Sequence, residues 1–451
     1  MKNEKIQANA IDVTSEFNWL KQLLDERVQC EFGNKTNAGK NLFDLFPAPG
    51  LEKSTSPYAK FIRKNHIKPP ERIALLLALA PYLYPQILDA FLIKNSDIGK
   101  PFTEFGGIES KNHKGFIPTG QTLLFLLAGN NIEQRFIYMR LLEADSILLR
   151  EGYIFIEQTA NEEPFLSGSL SPSRDLAELF TKGEPFKPSF NASFPAKLIT
   201  SGMNWNDLVL DDLTKKQLRE LTWWLAHNHT LMDTWNMKRK IKPGYRALFY
   251  GPPGTGKTLT ATLLGKLHER DVYRIDLSKI VSKYIGETEK NLATVFERAE
   301  HKDWILFFDE ADALFGKRTN VQSSNDRHAN QEVSYLLQRI EDYNGMVILA
   351  SNLKTNIDEA FLRRFQSLVY FPMPKKNERF ALWKSTLPEQ CSTNEEEIDK
   401  VAEKYEVAGG TIINVVQYCA LKAIENGTQT ITASDLAEGM GKELIKMGRT
   451  S

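Results

Sequence analysis

A chain of 451 residues is longer than one hydrophobic core usually organises, so two or three domains are expected. Hydrophobic residues at 42% and charged residues at 25% exclude a largely disordered chain. Lys plus Arg and Asp plus Glu both number 57, so no global field draws the chain to nucleic acid or to an anionic membrane.

The first residues, MKNEKIQANAIDVTSEF, lack the apolar core of a secretory leader. Cys30, Cys391 and Cys419 are far apart, odd in number and in no CxxC spacing, so they read as reduced thiols, and a cytoplasmic location is expected. Phe17, Leu20, Leu23, Leu24 and Val28 recur at helical spacing and predict an amphipathic helix. The most apolar run, Ile73 to Ala80, is followed by Pro81 and is far short of the roughly 20 residues that span a bilayer, so a buried helix and no membrane are expected. Further apolar helices are predicted at Thr122–Leu127 and Ile132–Leu142, then a hairpin of Ser146–Leu149 with Tyr153–Ile156 turning at Glu151-Gly152. Helices followed by a short hairpin fit a winged-helix-like module that contacts protein or acts as scaffold. Thr159 to about Pro195 is rich in Pro, Ser, Gly and Glu without a period, as expected of a linker.

Arg246 to Tyr250 reads as a buried strand, followed by Gly251-Pro252-Pro253-Gly254-Thr255-Gly256-Lys257-Thr258 and a helix starting at Leu259. Strand, GxxxxGK[ST], helix is the order of a phosphate-binding loop. Its glycines let successive N–H groups wrap phosphates, the helix N-terminus adds a favourable dipole, Lys257 neutralises the β/γ charge, and Thr258 ligates magnesium. The apolar run Trp304 to Phe308 ends in Asp309-Glu310, placing two carboxylates at the C-terminal end of a buried parallel strand. In this context Asp309 is expected to hold magnesium, and Glu310 to orient and deprotonate a water. A third apolar strand, Met346 to Ala350, ends at Ser351-Asn352; Asn352 alone would be a turn former, but here its amide is placed to position the lytic water.

The strings GPPGTGKT, FFDEAD, LASN and IDEAFLRRF together resemble the AAA family of hexameric ATPases over roughly Trp205 to Lys446. That resemblance implies an α/β fold, with a five-stranded parallel sheet between helices and a small helical lid. It also implies ATP with Mg2+ bound between the subunits of a homo-hexamer. Arg363 and Arg364 match the arginines that reach a neighbour's γ-phosphate; many members separate them by Pro-Gly, and which of the adjacent pair is the finger stays open. Gly409 and Gly410 match the family's glycine-containing second sensor, and Asp207 to Leu210 the stretch lining the adenine pocket. Tyr284, Ile285 and Gly286 match the aromatic-aliphatic-Gly pore loop that grips polypeptide; without the resemblance a Tyr-Ile pair is more often a core cap. Gly316 to Arg327 is polar and fits a second pore loop or an inter-subunit loop, and His328 reads as a helix-start residue rather than a metal ligand.

More narrowly, NDRHANQEVSYLLQRIEDYNGMVILASN, the adjacent arginines, FPMP and GFIPTGQTLLFLLAGN resemble the single-ring ATPases encoded with bacterial extracellular contractile injection systems. This implies protein partners such as sheath, tube or baseplate components. The expected organisation is an N-terminal helical adaptor domain (1–158), a linker (159–200), the large ATPase subdomain (201–373) and a helical lid (374–451). A general unfoldase or filament-severing motor, and an ATP-switched DNA-binding protein, are the competing expectations.

Overall fold

The computed structural model describes residues 2–33, 41–96, 99–108, 113–157, 163–191, 194–277, 287–300, 302–311, 324–352 and 362–448. The chain forms two compact units, Met1–Lys187 and Pro188–Ser451.

The first unit is mainly helical: α1 (Lys2–Phe32), α2 (Pro57–Lys64), α3 (Pro69–Leu83), α4 (Gly120–Ala128) and α5 (Ile132–Met139), then β1 (Ile154–Ile156), β2 (Leu170–Pro172) and α6 (Arg174–Lys182). The predicted stripe on α1 holds, with Phe17, Leu20, Leu23 and Leu24 buried and Val28 packed against them. Ser56 starts α2, its hydroxyl accepting the Ala59 N–H at 2.9 Å, and Pro57 occupies the first turn, where no N–H is missed. In α3 every residue from Ile73 to Ala80 is buried, because the helix runs through the middle of the core. No single described helix is long and apolar enough to cross a membrane; α3 and the short helix Pro85–Leu92 pass that test only as a pair, bent by 101°. At the start of α3, Arg72 is buried against Glu16, donates to the Pro49 carbonyl at 2.9 Å and lies over the Trp19 ring. Burial pushes the Glu16 carboxyl up, while its arginine partner opposes the shift.

Two expectations are corrected here. Ser146–Leu149 is not a strand: the Ser146 hydroxyl caps a one-turn helix, Ile147–Arg150, and Gly152 (φ +64°) turns the chain into β1. The partner of β1 lies beyond the predicted hairpin, in β2, with Ile154 opposite Pro172 and Ile156 opposite Leu170. Nor is 159–200 a linker throughout. Within it, β2 and α6 complete the first unit, and Asn9 of α1 donates to the Leu179 and Phe180 carbonyls of α6 at 2.7 and 3.1 Å. The two units divide at Lys187, and Ala196–Ile199 already belongs to the sheet of the second.

The second unit runs β3 (Ala196–Ile199), α7 (Asp212–His229), β4 (Tyr245–Tyr250), α8 (Lys257–Leu267), β5 (Val272–Asp276), α9 (Glu287–Ala299), β6 (Ile305–Asp309), α10 (Ser324–Asp342), β7 (Met346–Ser351) and β8 (Ser367–Tyr370). Four helices follow: α11 (Lys376–Thr386), α12 (Glu395–Lys404), α13 (Gly409–Glu425) and α14 (Ala433–Lys446). The sheet order is β3-β5-β6-β7-β4-β8. Its last five strands are parallel, as expected, and β3 adds an antiparallel edge that sequence reading missed.

Both faces of the sheet are covered, which explains the nearly unbroken apolar runs of β4, β6 and β7. One face packs Leu248, Phe308 and Leu349 with Leu292 and Phe296 of α9 and Leu336 of α10. The other packs Phe249, Phe307 and Ile348 with Leu221 and Leu225 of α7 and Ala261 and Leu264 of α8. The terminal helices have their own core around Trp383, Ile412, Val415, Leu436 and Met440. On its surface Lys422 bridges Asp435 and Glu438 at 2.7 Å each, and its ammonium draws both carboxyls down to about 2. The segment 316–327, read as a loop, is helical from Ser324, the first residue of α10. Residues 316–323 lie outside the described residues.

Candidate functional site

In an open parallel sheet the ligand crevice lies beyond the carboxyl ends of the strands, where chain connections diverge. Here that point is the end of β4, which lies between β7 and β8. The loop leaving β4 has three glycines with positive φ: Gly251 (+143°), Gly254 (+75°) and Gly256 (+98°). At Gly251 a Cβ would lie 2.1 Å from the Phe371 carbonyl oxygen, so only glycine lets the loop leave the sheet there. Thr255 closes the turn by donating its hydroxyl to the Pro252 carbonyl at 2.8 Å. Gly256 then caps α8, whose first residues, Lys257 to Leu259, line the crevice.

Lys257 is buried, and its ammonium donates to the Gly251 and Pro252 carbonyls at 2.7 and 3.0 Å and to Asn352 Oδ1 at 3.2 Å. Asn352 follows β7, so this one contact joins the ends of two neighbouring strands. On β6, Asp309 Oδ1 accepts the Glu310 N–H at 3.1 Å, and Asp309 Oδ2 lies 3.1 Å from Arg274 Nε of β5. Glu310 is exposed, with φ +55°. A non-glycine residue held in the left-handed region costs about 1–2 kcal/mol, and strain of this kind collects at functional sites.

A cavity of about 670 Å³ opens along this edge. Its polar end is the β4 loop with Gly254 to Thr258, Leu259, Asp309 and Asn352; its apolar end includes Leu208, Val209 and Ile413. Asp207 to Leu210, the stretch that the resemblance matched to an adenine pocket, line it. Pro253 also lines it, and Pro252 takes part through its carbonyl. Gly409 and Gly410 close it from the start of α13, and the Gly410 N–H donates to the Gly254 carbonyl at 3.0 Å. The terminal helices thus touch the loop backbone to backbone, with Gly254 Cα only 3.4 Å from where a Cβ of residue 410 would stand.

Size and two-ended polarity suit a nucleotide: an apolar slot for a base and a cradle of N–H groups with one ammonium for phosphates. The Thr258 hydroxyl and Asp309 carboxylate are hard oxygen donors of the type magnesium takes alongside phosphate. Arg363 and Arg364 are exposed beyond the cavity lining; Arg364 pairs with Glu341 of α10, whereas no ion pair among the described residues involves Arg363. Tyr284, Ile285 and Gly286 lie outside the described residues.

Arg274 is the site residue that sequence reading passed over. Its signal was alternation: in VYRID, Arg274 shares a face with Asp276, the register partner of Asp309.

Residues 247–373 match the family described as "ATPase family associated with various cellular activities (AAA)". The 26S proteasome regulatory subunit 6B homolog of Dictyostelium discoideum is 28% identical over 251 residues, 54% of this chain and 61% of that protein. Cell division protein C of Sulfolobus acidocaldarius is 29% identical over 262 residues (55% and 68%). The proteasome-activating nucleotidase of Saccharolobus solfataricus is 29% identical over 219 residues (46% and 55%). The chain therefore spans about three fifths of the length of these curated relatives. Among solved structures, the FIGL-1 AAA domain has a TM-score of 0.45 at 22% identity, covering 54% of this chain and 84% of that one. The same domain in complex with ADP has a TM-score of 0.45 at 23% identity, covering 56% and 91%. The second unit of this chain carries an AAA ATPase family domain.

Proposed function

We propose that this chain, through its AAA domain, is a magnesium-dependent ATPase that works as a hexameric ring on polypeptide. The observation that carries this reading is the convergence of Lys257, at the start of α8, with Asp309 and Asn352, at the ends of the neighbouring strands β6 and β7, around one glycine loop. Lys257 is the cation for the terminal phosphates, exchanging its carbonyl partners for phosphate oxygens of greater charge. Thr258 and Asp309 would hold magnesium, which would offset the negative charge of the β- and γ-phosphates. Glu310 takes the proton of the attacking water, and Asn352 orients that water.

A guanidinium from a neighbouring subunit stabilises charge on the transferred phosphoryl group, so turnover requires assembly. Of the two arginines, Arg363 suits that part better, because Arg364 is engaged by Glu341 of its own chain. Tyr284, Ile285 and Gly286 grip polypeptide in the central pore, where an aromatic ring provides contact area independent of sequence. Gly409 and Gly410 couple the terminal helices to the nucleotide through Gly254.

The client in this proposal is a component of a contractile injection particle, such as a sheath, tube or baseplate protein, handled in the cytoplasm. What supports it is the shared wording of the 325–352 segment and of the N-terminal GFIPTGQTLLFLLAGN. A general unfoldase is the second reading, favoured by relatives named as a proteasome regulatory subunit and a proteasome-activating nucleotidase. To separate them, Glu310→Gln is expressed in the native host, locked with ATP, and its bound proteins are identified by mass spectrometry. Recovery chiefly of sheath, tube or baseplate proteins supports the dedicated role; a broad mixture overturns it in favour of the unfoldase.

A further inference from the structure

We infer that Arg274 is a metal-competing positioning residue: its guanidinium occupies the Asp309 carboxylate in the metal-free site and sets how much magnesium the nucleotide site requires. This rests on Asp309 being the metal-side carboxylate. Arg274 Nε stands 3.1 Å from Asp309 Oδ2, with side chains 39% and 20% exposed, so the pair is partly shielded from water. Its Nε–H has no aligned hydrogen-bond acceptor. The contact is therefore a charge pairing without directional locking, which a stronger cation can displace.

The placement follows from the sheet. Asp276 and Asp309 are register partners at the ends of parallel β5 and β6, and Arg274 lies two residues earlier on the Asp276 face. The guanidinium thus rises on the strand face that ends in two adjacent carboxylates and pairs with one of them, Asp309. Asp309 Oδ1 already accepts the Glu310 N–H, so Oδ2 is the oxygen that Arg274 and a divalent cation contest.

Two cations on one carboxylate repel, so the Arg274–Asp309 attraction is greater in the metal-free state than in the metal-bound state. By linkage, removing Arg274 must tighten metal binding by that difference.

The test is the dissociation constant of a fluorescent, non-hydrolysable ATP analogue for the full chain, measured in EDTA and in saturating magnesium chloride. The ratio of the two constants is the metal coupling. Arg274→Gln is expected to raise this ratio about two- to fivefold, the range for loss of one partly exposed ion pair. Arg274→Lys, which keeps the charge, should hold it near the wild-type value. Affinity in EDTA should stay within about twofold, which separates the effect from damage to the fold. An unchanged ratio in Arg274→Gln overturns the inference; so does a lower one, which would make Arg274 an aid to metal binding. Asp309→Asn is the control for the underlying reading: it should collapse the ratio, and if it does not, the metal role of Asp309 fails whatever Arg274 does.

Discussion

Replacing Gly251 with alanine tests how tightly the loop between β4 and α8 is tied to the sheet. The new Cβ would stand 2.1 Å from the Phe371 carbonyl oxygen, below the 3.0 Å that real Cβ contacts essentially never undercut. Backbone must move, because the obstacle is itself backbone, and the φ of +143° is a conformation that side-chain-bearing residues rarely adopt. The strain is about 1–2 kcal/mol. Separating β4 from β8 also weakens the Phe371 N–H bond to the Tyr250 carbonyl (2.8 Å) and the Gly251 N–H bond to the Ser351 carbonyl (3.3 Å). At about 1 kcal/mol for each bond, the total is about 3–4 kcal/mol. For a unit of this size that lowers Tm by about 5–15 °C. Differential scanning calorimetry should show the shift in the transition of the second unit alone, together with weaker nucleotide binding. A Tm within about 1 °C of wild type would refute the close-approach reasoning.

Glu310→Gln should lower phosphate release from ATP by at least about 100-fold while nucleotide affinity stays within about twofold; surviving hydrolysis would remove Glu310 as the base. Arg363→Ala should abolish turnover of the assembled protein and spare nucleotide binding, with a smaller effect for Arg364→Ala; steady-state ATPase assays that gave the reverse order would assign the trans role to Arg364. Trp383→Ala, at the centre of the terminal helical core, should cost about 3–5 kcal/mol and show as faster hydrogen exchange confined to α11–α14. The Lys422 cluster makes stability depend on acid: Asp435 and Glu438 titrate at about 2 in the fold, below the ordinary 3.8 and 4.5. Their contribution is therefore complete above the ordinary values and is lost as pH falls toward 2. Thermal unfolding of Lys422→Met between pH 5 and 2 should show a shallower decline than wild type, and an identical slope would count against the cluster.

The glycine loop between β4 and α8 was legible because its conformation is local: glycines with special φ, a lysine and a threonine follow one another between a strand and a helix. The apolar runs ending at Asp309 and Asn352 were legible for a related reason, since a parallel strand covered on both faces tolerates few polar residues. The failures came where meaning depends on a distant partner. Ser146 looked like the start of a strand, yet its hydroxyl reaches the Leu149 N–H and begins a helical turn. β1 finds its partner sixteen residues beyond its own start, across a stretch whose composition suggested only a linker. Ile132, Phe136 and Ile137 of α5 have the composition of a core helix but stand exposed, and no local pattern separates the two outcomes. Arg274 and Arg364 acquire their meaning only through Asp309 and Glu341, which lie 35 residues downstream and 23 upstream respectively.

The antiparallel β3 has a consequence for how the second half can be separated from the first. By pairing residues 196–199 with 272–275 it caps the outer edge of β5, whose N–H and C=O groups would otherwise face solvent as an open template for another chain. A fragment starting at residue 201, where composition alone suggests the catalytic half begins, would lack this cover. Such a fragment should self-associate through β5, whereas one starting at Pro188 keeps the edge closed and should stay dispersed.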